Sequence, residues 1–535
     1  MGSSAEVKTG VEKARIARAA GLVSAMTLIS RVLGLVREVV FAALIGAGYH
    51  SDAFRIGFRI PNLLRDLFAE GALSAAFVPT YARAQTEGGR EAAFALANRV
   101  LTVLAVLLGG LVVAAVLFAW PVVSALAPGF DEQPGKAALT VLLTRIMMPF
   151  LLLVSFAAVA MGMLNAEERF GIPALSPALF NVVAILWAGL LWGLGLPLDQ
   201  VVIGWALGTL LGGFAQFLVQ VPSLRRLGWR LRPEWAPRDP GLLRVARLMA
   251  PATVGLAAVQ VNIFVNSIFA SHEPGAVSWL DYAFRLLHLP IGLFGVALGT
   301  IATAGLARRA AEGDIDGLRH TLRQSLSMLA YLTLPATVGL MALGVPVVRL
   351  LYERGRFTPA DTQATAAALL LYSFGLVGYT GVKVLAPAFY ALGRPRGPLL
   401  ASVSAVAANL LVIGTFYSRV GFRAIAIGTA LGSLINAGLL VGLFERRIGG
   451  LFGHGLFRPV GRMALAAVAM GAAAWLSAAG LERLVGTRGL SAQLVTGLVP
   501  VVVGVGLYGL LTRALRVGEA EVLWRMLRDW LRPAP

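Results

Sequence analysis

The sequence predicts an all-α, polytopic membrane protein with about 14 transmembrane helices, built as two six-helix repeats (an N-lobe and a C-lobe) plus two C-terminal helices. Three observations predict it. Of 535 residues, 58% are hydrophobic and 14% charged, with mean hydropathy +0.77, whereas a soluble chain carries about 25% charged residues. Long apolar segments follow one another without the alternation of strands. Landmark residues also recur at a nearly constant offset along the chain. With roughly 20 residues per span, no large soluble domain fits. The absence of cysteine excludes disulfides, thiolate metal sites and cysteine nucleophiles, and five histidines scattered along the chain make a histidine-built metal centre improbable. Neither metal nor cofactor is expected.

The N-terminus carries Lys8, Lys13, Arg15 and Arg18 ahead of an apolar stretch that superficially resembles a signal peptide. It continues through Arg31 and Arg37 to about residue 47, so it reads as a retained first helix. Further segments fall near 53–82, 92–126, 137–165, 172–194, 200–223 and 247–271, then near 277–306, 322–352, 361–392, 398–418, 422–444, 459–481 and 490–513. Loop arginines concentrate in alternate connections, including 223–247, 307–323 and 445–462, while 46–51 and 271–277 contain no Lys or Arg. The positive-inside rule then places both termini in the cytoplasm and accounts for most of the +19 net charge. No nucleic-acid partner is needed. The chain end, with Val522, Leu523, Met526, Leu527 and Trp530 against Arg525, Arg528 and Asp529, reads as an amphipathic interfacial helix.

The repeat is carried by pairs: Asp52 and Asp281, Pro61 and Pro290, Glu87-Gly88 and Glu312-Gly313, Arg169 and Arg394, Pro173 and Pro398. Their offsets stay between 225 and 229 residues. An offset of six helices makes the repeats parallel, the arrangement of transporters that bind substrate between their halves. The expected organisation is an N-lobe over 1–224, a basic cytoplasmic connection over 225–246 that serves as hinge, a C-lobe over 247–447, and the last two helices with the amphipathic end over 448–535.

Ionisable residues within spans are expensive, an Arg at a helix centre costing about 2.5–3.5 kcal/mol on insertion scales. Here they are mostly positive: Arg31 and Arg37 in the first span, Arg55, Arg59 and Arg65 in the second, Arg99, Arg145, Arg285 and Lys383 beyond. Asp52, Arg55, Arg59, Asn62, Asp66 and Glu70 fall within an arc of about 80° on a helix of 100° per residue, so one polar stripe faces water or substrate. Pro61 is expected to kink that helix, and Gly34 to permit a bend between Arg31 and Arg37. Asp281, Arg285 and His288 repeat the stripe thinly. Local Asp–Arg neutralisation competes with this reading, but leaves a surplus of arginine unexplained. Guanidinium groups bind phosphate bidentately and stay charged, so the cavity suits a phosphate-bearing substrate.

These residues sit in stretches that resemble the bacterial lipid II flippases (the MurJ, or MviN, family) of the multidrug/oligosaccharidyl-lipid/polysaccharide exporter superfamily. The stretches are 30–37 (Ser-Arg-Val-Leu-Gly-Leu-Val-Arg), Asp52-Ala53-Phe54, 61–65, 68–72, 127–130, 277–279, 295–300 and 383–390. The resemblance implies alternating access that carries undecaprenyl-diphosphate disaccharide-pentapeptide from the inner to the outer leaflet of the cytoplasmic membrane. It implies Arg31, Arg37, Arg65 and Arg285 as diphosphate and headgroup ligands, with Ser30, Asp52, Asn62 and Glu70 as polar support; the helical stripes add Arg55, Arg59, Asp281, His288 and Lys383 to that support, and Gly34 and Pro61 as hinges. A groove along the last two helices would take the polyprenyl tail. Partners implied are lipid II and membrane lipid, with the peptidoglycan synthesis and division machinery open, and a monomer is expected. Coupling to membrane potential or a monovalent ion stays open, since spans seven, eleven and twelve offer Asn262, Asn266, Asn409 and Asn436 but no carboxylate. Alternatives are an O-antigen or exopolysaccharide flippase, a membrane glycosyl- or phosphotransferase, for which no D-x-D-like cluster is visible, and a receptor or scaffold.

Overall fold

The computed structural model describes residues 2–68, 72–451 and 457–531. Among these residues the regular structure is helical throughout. The chain divides into two compact units, one of residues 1–277 with 354–356, the other of 278–353 with 357–535.

In the first unit, α1 (Gly2–Ile45) runs through Gly34 as one continuous helix, and α2 (Tyr49–Phe68) continues across Pro61. The expected bend at Gly34 is therefore not an interruption of helix. α3 (Ala72–Leu117) joins the second and third expected segments across Gly89, whose φ of +74° a residue with a Cβ would adopt only with strain. Then come α4 (Ala119–Leu126), a 3₁₀ turn at Pro128–Glu132, and α5 (Lys136–Met147) with α6 (Phe150–Ala166). After them follow α7 (Gly171–Gly193), α8 (Leu198–Leu218), the short α9 (Val221–Arg226) and α10 (Pro240–Ser271). Leu73, Phe77, Tyr81, Leu96, Phe150, Met163, Leu224 and Trp229 form the unit's main core. α10, which the repeat assigns to the second half, packs on α2 and α3 and belongs to this unit.

In the second unit α11 (Ala276–Pro290) passes through one π-helical turn, Ile291–Val296, into α12 (Ala297–Ala311). Pro290, the repeat partner of Pro61, opens that turn. Next are α13 (Ile315–Tyr352), α14 (Pro359–Ser373) and α15 (Leu376–Ala391), the last two bent by 42°. α16 (Arg396–Val420) and α17 (Arg423–Arg447) pair through a turn at Gly421 (φ +60°). α18 (Phe457–Val485) and α19 (Leu490–Ala514) pack on α13, where the Tyr508 hydroxyl donates to the carbonyl of Tyr331 at 2.9 Å. The terminal α20 (Gly518–Leu531) is held by Glu519, which accepts from Ser327. Its Trp524 is half exposed.

Ten of the described helices, or eleven if α14 and α15 form one span, are long and apolar enough to cross a membrane. The multi-pass architecture is plain, whereas the expected count of fourteen is not reached on that criterion. Leu186, Leu411, Leu476, Val502 and Trp192 are more than 60% exposed, as residues facing lipid can be without cost.

Candidate functional site

Each unit carries its own set of cations along its helices. In the first, Arg31 on α1 is exposed and no described residue hydrogen-bonds or ion-pairs with it. Asn181 of α7 donates from Nδ2 to the carbonyl of Ser30 beside it at 3.1 Å, and the same Asn181 lies near Gly34, where a Cβ would sit 3.5 Å from its nitrogen. That is ordinary van der Waals distance, so the packing of α1 on α7 does not itself demand glycine at 34. Arg37 reaches Glu38 at 2.9 Å and stacks over the Phe180 ring at 5.2 Å.

Glu38 is shared. Its second oxygen lies 3.8 Å from Arg55 of α2, which also donates to Ser51 at 3.2 Å and lies over Phe41. This buried carboxylate between two guanidiniums ties α1 to α2. Further along α2, Arg59 donates to the buried Ser267 of α10, Asn62 is half-buried, and Arg65 pairs with Asp66 at 3.0 Å. Glu70 lies outside the described residues.

Asp52 is set apart from the rest of the stripe by its partners. It is fully buried, accepts from Lys136 Nζ at 2.9 Å and from the Gly275 backbone N–H at 2.9 Å, and so staples α2, α5 and the turn after α10 together. Lys136, itself fully buried, lies 4.1 Å from the centre of the Phe130 ring. Its place as Asp52's counter-ion escaped the sequence reading. The available signal was rarity: only four lysines occur in the chain.

In the second unit Arg285 is 41% exposed and pairs with Asp281, one turn earlier, at 2.8 Å. His288 is exposed at its surface, bonds through Nδ1 to the Phe284 carbonyl at 3.1 Å and meets the Phe284 ring edge-on. Lys383 on α15 is exposed, with no hydrogen-bond or ion-pair partner among the described residues. Arg99 and Arg145 stand outside these sets. Arg99 binds Glu234 and Asp239 of the connection before α10, and Arg145 donates to the carbonyl of Val116.

Local Arg–carboxylate pairing is therefore real at Arg37, Arg55, Arg65 and Arg285. It remains unequal. In the sequence of these helices, Arg31, Arg37, Arg55, Arg59 and Arg65 outnumber Glu38, Asp66 and Glu70 once Asp52 is taken by Lys136, and Arg285 and Lys383 outnumber Asp281. A set in which cations outnumber acids, several of them pre-oriented by aromatic faces or hydroxyls, can hold an anion without first breaking every internal pair. Among the described residues, no group of His, Asp and Glu could hold a metal ion.

The multi-pass helical fold with cations carried on its helices is that of a membrane transporter, and the comparisons give the family. An inward-facing multidrug resistance MATE family transporter of the MOP superfamily matches with TM-score 0.65 at 18% identity, covering 82% of this chain and 99% of the other. That likeness shows the fold alone. The structure "Lipid II flippase MurJ, inward closed conformation" matches with TM-score 0.75 at 25% identity, covering 96% of this chain and all of that one. "Lipid II flippase MurJ" of Burkholderia cenocepacia is 37% identical over 81% of this chain and 84% of its own length. The family model "Lipid II flippase MurJ" matches residues 41–488. The chain belongs to the lipid II flippase MurJ family.

Proposed function

We propose that this protein flips lipid II, the undecaprenyl-diphosphate-linked disaccharide-pentapeptide, from the inner to the outer leaflet of the cytoplasmic membrane by alternating access. Membership of the family across residues 41–488 is the observation that carries this reading. The unequal charge count supports it chemically. Arg31, Arg37, Arg65 and Arg285 are the proposed ligands of the diphosphate and headgroup, because planar guanidiniums match paired phosphoryl oxygens and stay charged. Arg55, Arg59, Asn62, Ser30, Asp281, His288, Glu70 and Lys383 are proposed as their polar surroundings. Asp52 is proposed as a brace, its oxygens being occupied.

The role needs no catalysis and no cofactor. The substrate leaves chemically unchanged, and only different affinity for its anion in two states can shift those states. Both termini are proposed to be cytoplasmic, and the chain to act as a monomer in a membrane where the peptidoglycan synthesis machinery consumes its product.

The test is complementation of a strain depleted of its own lipid II flippase. The wild-type chain restores growth, while Arg31→Glu combined with Arg285→Glu, expressed at equal level, does not. Growth with both charges reversed would remove the arginines from the mechanism. Rescue of an O-antigen flippase defect instead of the lipid II defect would reassign the substrate.

A further inference from the structure

The connection before α10 is built unlike a linker. Trp229, 2% exposed, donates from Nε1 to Asn98 Oδ1 at 3.1 Å, and the other end of the same amide donates from Nδ2 to the carbonyl of Arg230 at 3.1 Å. One turn along α3, Thr102 Oγ1 accepts the backbone N–H of Glu234 at 2.9 Å. Between them Arg99 reaches Glu234 at 3.2 Å and Asp239 at 2.7 Å, and the second oxygen of Asp239 caps α10 by accepting from Leu242 N at 3.0 Å. Residues 98, 99 and 102, one face of α3, therefore grip the connection from Trp229 to the cap of the next helix.

We propose that residues 228–239 are a fixed brace and not a hinge, seated on α3 throughout the transport cycle, so that α10 is carried as part of the first unit. A flexible linker is polar, solvated and rich in Gly and Ser. This one buries a tryptophan, and Pro233, Pro237 and Pro240 remove backbone freedom that a hinge would use. Lifting it would expose the indole and strand both ends of a buried amide. Its consequence is mechanical: the charged stripe of α2 and its Arg59–Ser267 contact with α10 travel together.

The proposal uses the transport reading for one arm of its test only. Because the chain has no cysteine, the pair Thr102→Cys with Glu234→Cys reports on the brace alone. The purified protein is expected to form this disulfide on mild oxidation, and the oxidised protein in liposomes to translocate lipid II as the reduced protein does. Loss of transport on oxidation, restored by reductant, would overturn the brace, as would failure of the folded double variant to cross-link. A second arm uses the unaltered chain: trypsin is expected to spare Arg230 and Arg238 in the native protein, with or without lipid II. Cleavage there as fast as in an unstructured peptide would contradict the proposal, whatever the protein transports.

Discussion

At the scale of single residues, the structure separates charges that build from charges left available. The Asp52–Lys136 pair is buried at both ends, and removing one partner of such a pair typically costs about 3–5 kcal/mol, because the other charge is stranded. Lys136→Met is thus expected to lower thermal stability in detergent strongly, and Asp52→Asn in the same chain to recover part of the loss. The close approach of Gly355 to α1 makes a second prediction. Its φ is +61°, and a Cβ there would lie 2.2 Å from the carbonyl oxygen of Ala43. Gly393 has nearly the same φ, +66°, with open space around it. Gly393→Ala should bear only the backbone strain, about 1 kcal/mol or slightly more, and Gly355→Ala clearly more; equal melting temperatures for the two variants would show that the contact does not constrain the chain. The sequence offered the aspartate and the arginines of the stripe by helical spacing alone. It could not offer their partners, because Lys136, Ser267 and Phe180 come from other helices and spacing within one helix says nothing of them.

At the scale of elements, helix ends repay attention where they lie outside the membrane. Asp314 caps α13 by accepting from Gly317 N at 2.8 Å and pairs with Arg309. The Gly317 bond, more than the arginine, holds its carboxyl below the usual carboxylate range. A depressed carboxylate stabilises above its ordinary value, and that contribution is lost as pH falls through the depressed one. Thermal unfolding followed from neutral to acid pH should therefore show a loss that Asp314→Asn reduces. Thr358 and Asp361 form a reciprocal capping box on α14, and the carboxylate of Asp361 also receives the Trp279 indole N–H at 2.8 Å. Thr358→Ala is expected to cost about 1 kcal/mol, read as a lower melting temperature. Most elements were legible beforehand: the apolar segments fall on helices from α1 to α19. The π turn at Ile291–Val296, the break at Gly89 and the bend between α14 and α15 were not. Glycine and proline mark where a helix can deviate, but the choice between a kink, a π turn and uninterrupted helix is made by what packs against it. Pro61 and Pro290 illustrate this, with the same residue at repeat-related positions and two outcomes.

At the scale of the whole molecule, the apolar segments and the repeat pointed to a multi-pass helical architecture, and the stretches that resemble the lipid II flippases pointed to the family. They did not anticipate that α10 packs with the first unit, since a repeat reports the ancestry of a segment and not the surface on which it finds its partners. The proposed grip on the diphosphate during translocation comes from cations in excess of the acids on these helices. Its most direct measurement compares lipid II translocation in liposomes by the wild-type chain and by Arg31→Glu/Arg285→Glu at matched protein density. Transport by the first and none by the second is expected, with the variant's melting temperature unchanged. Equal rates for both would contradict it.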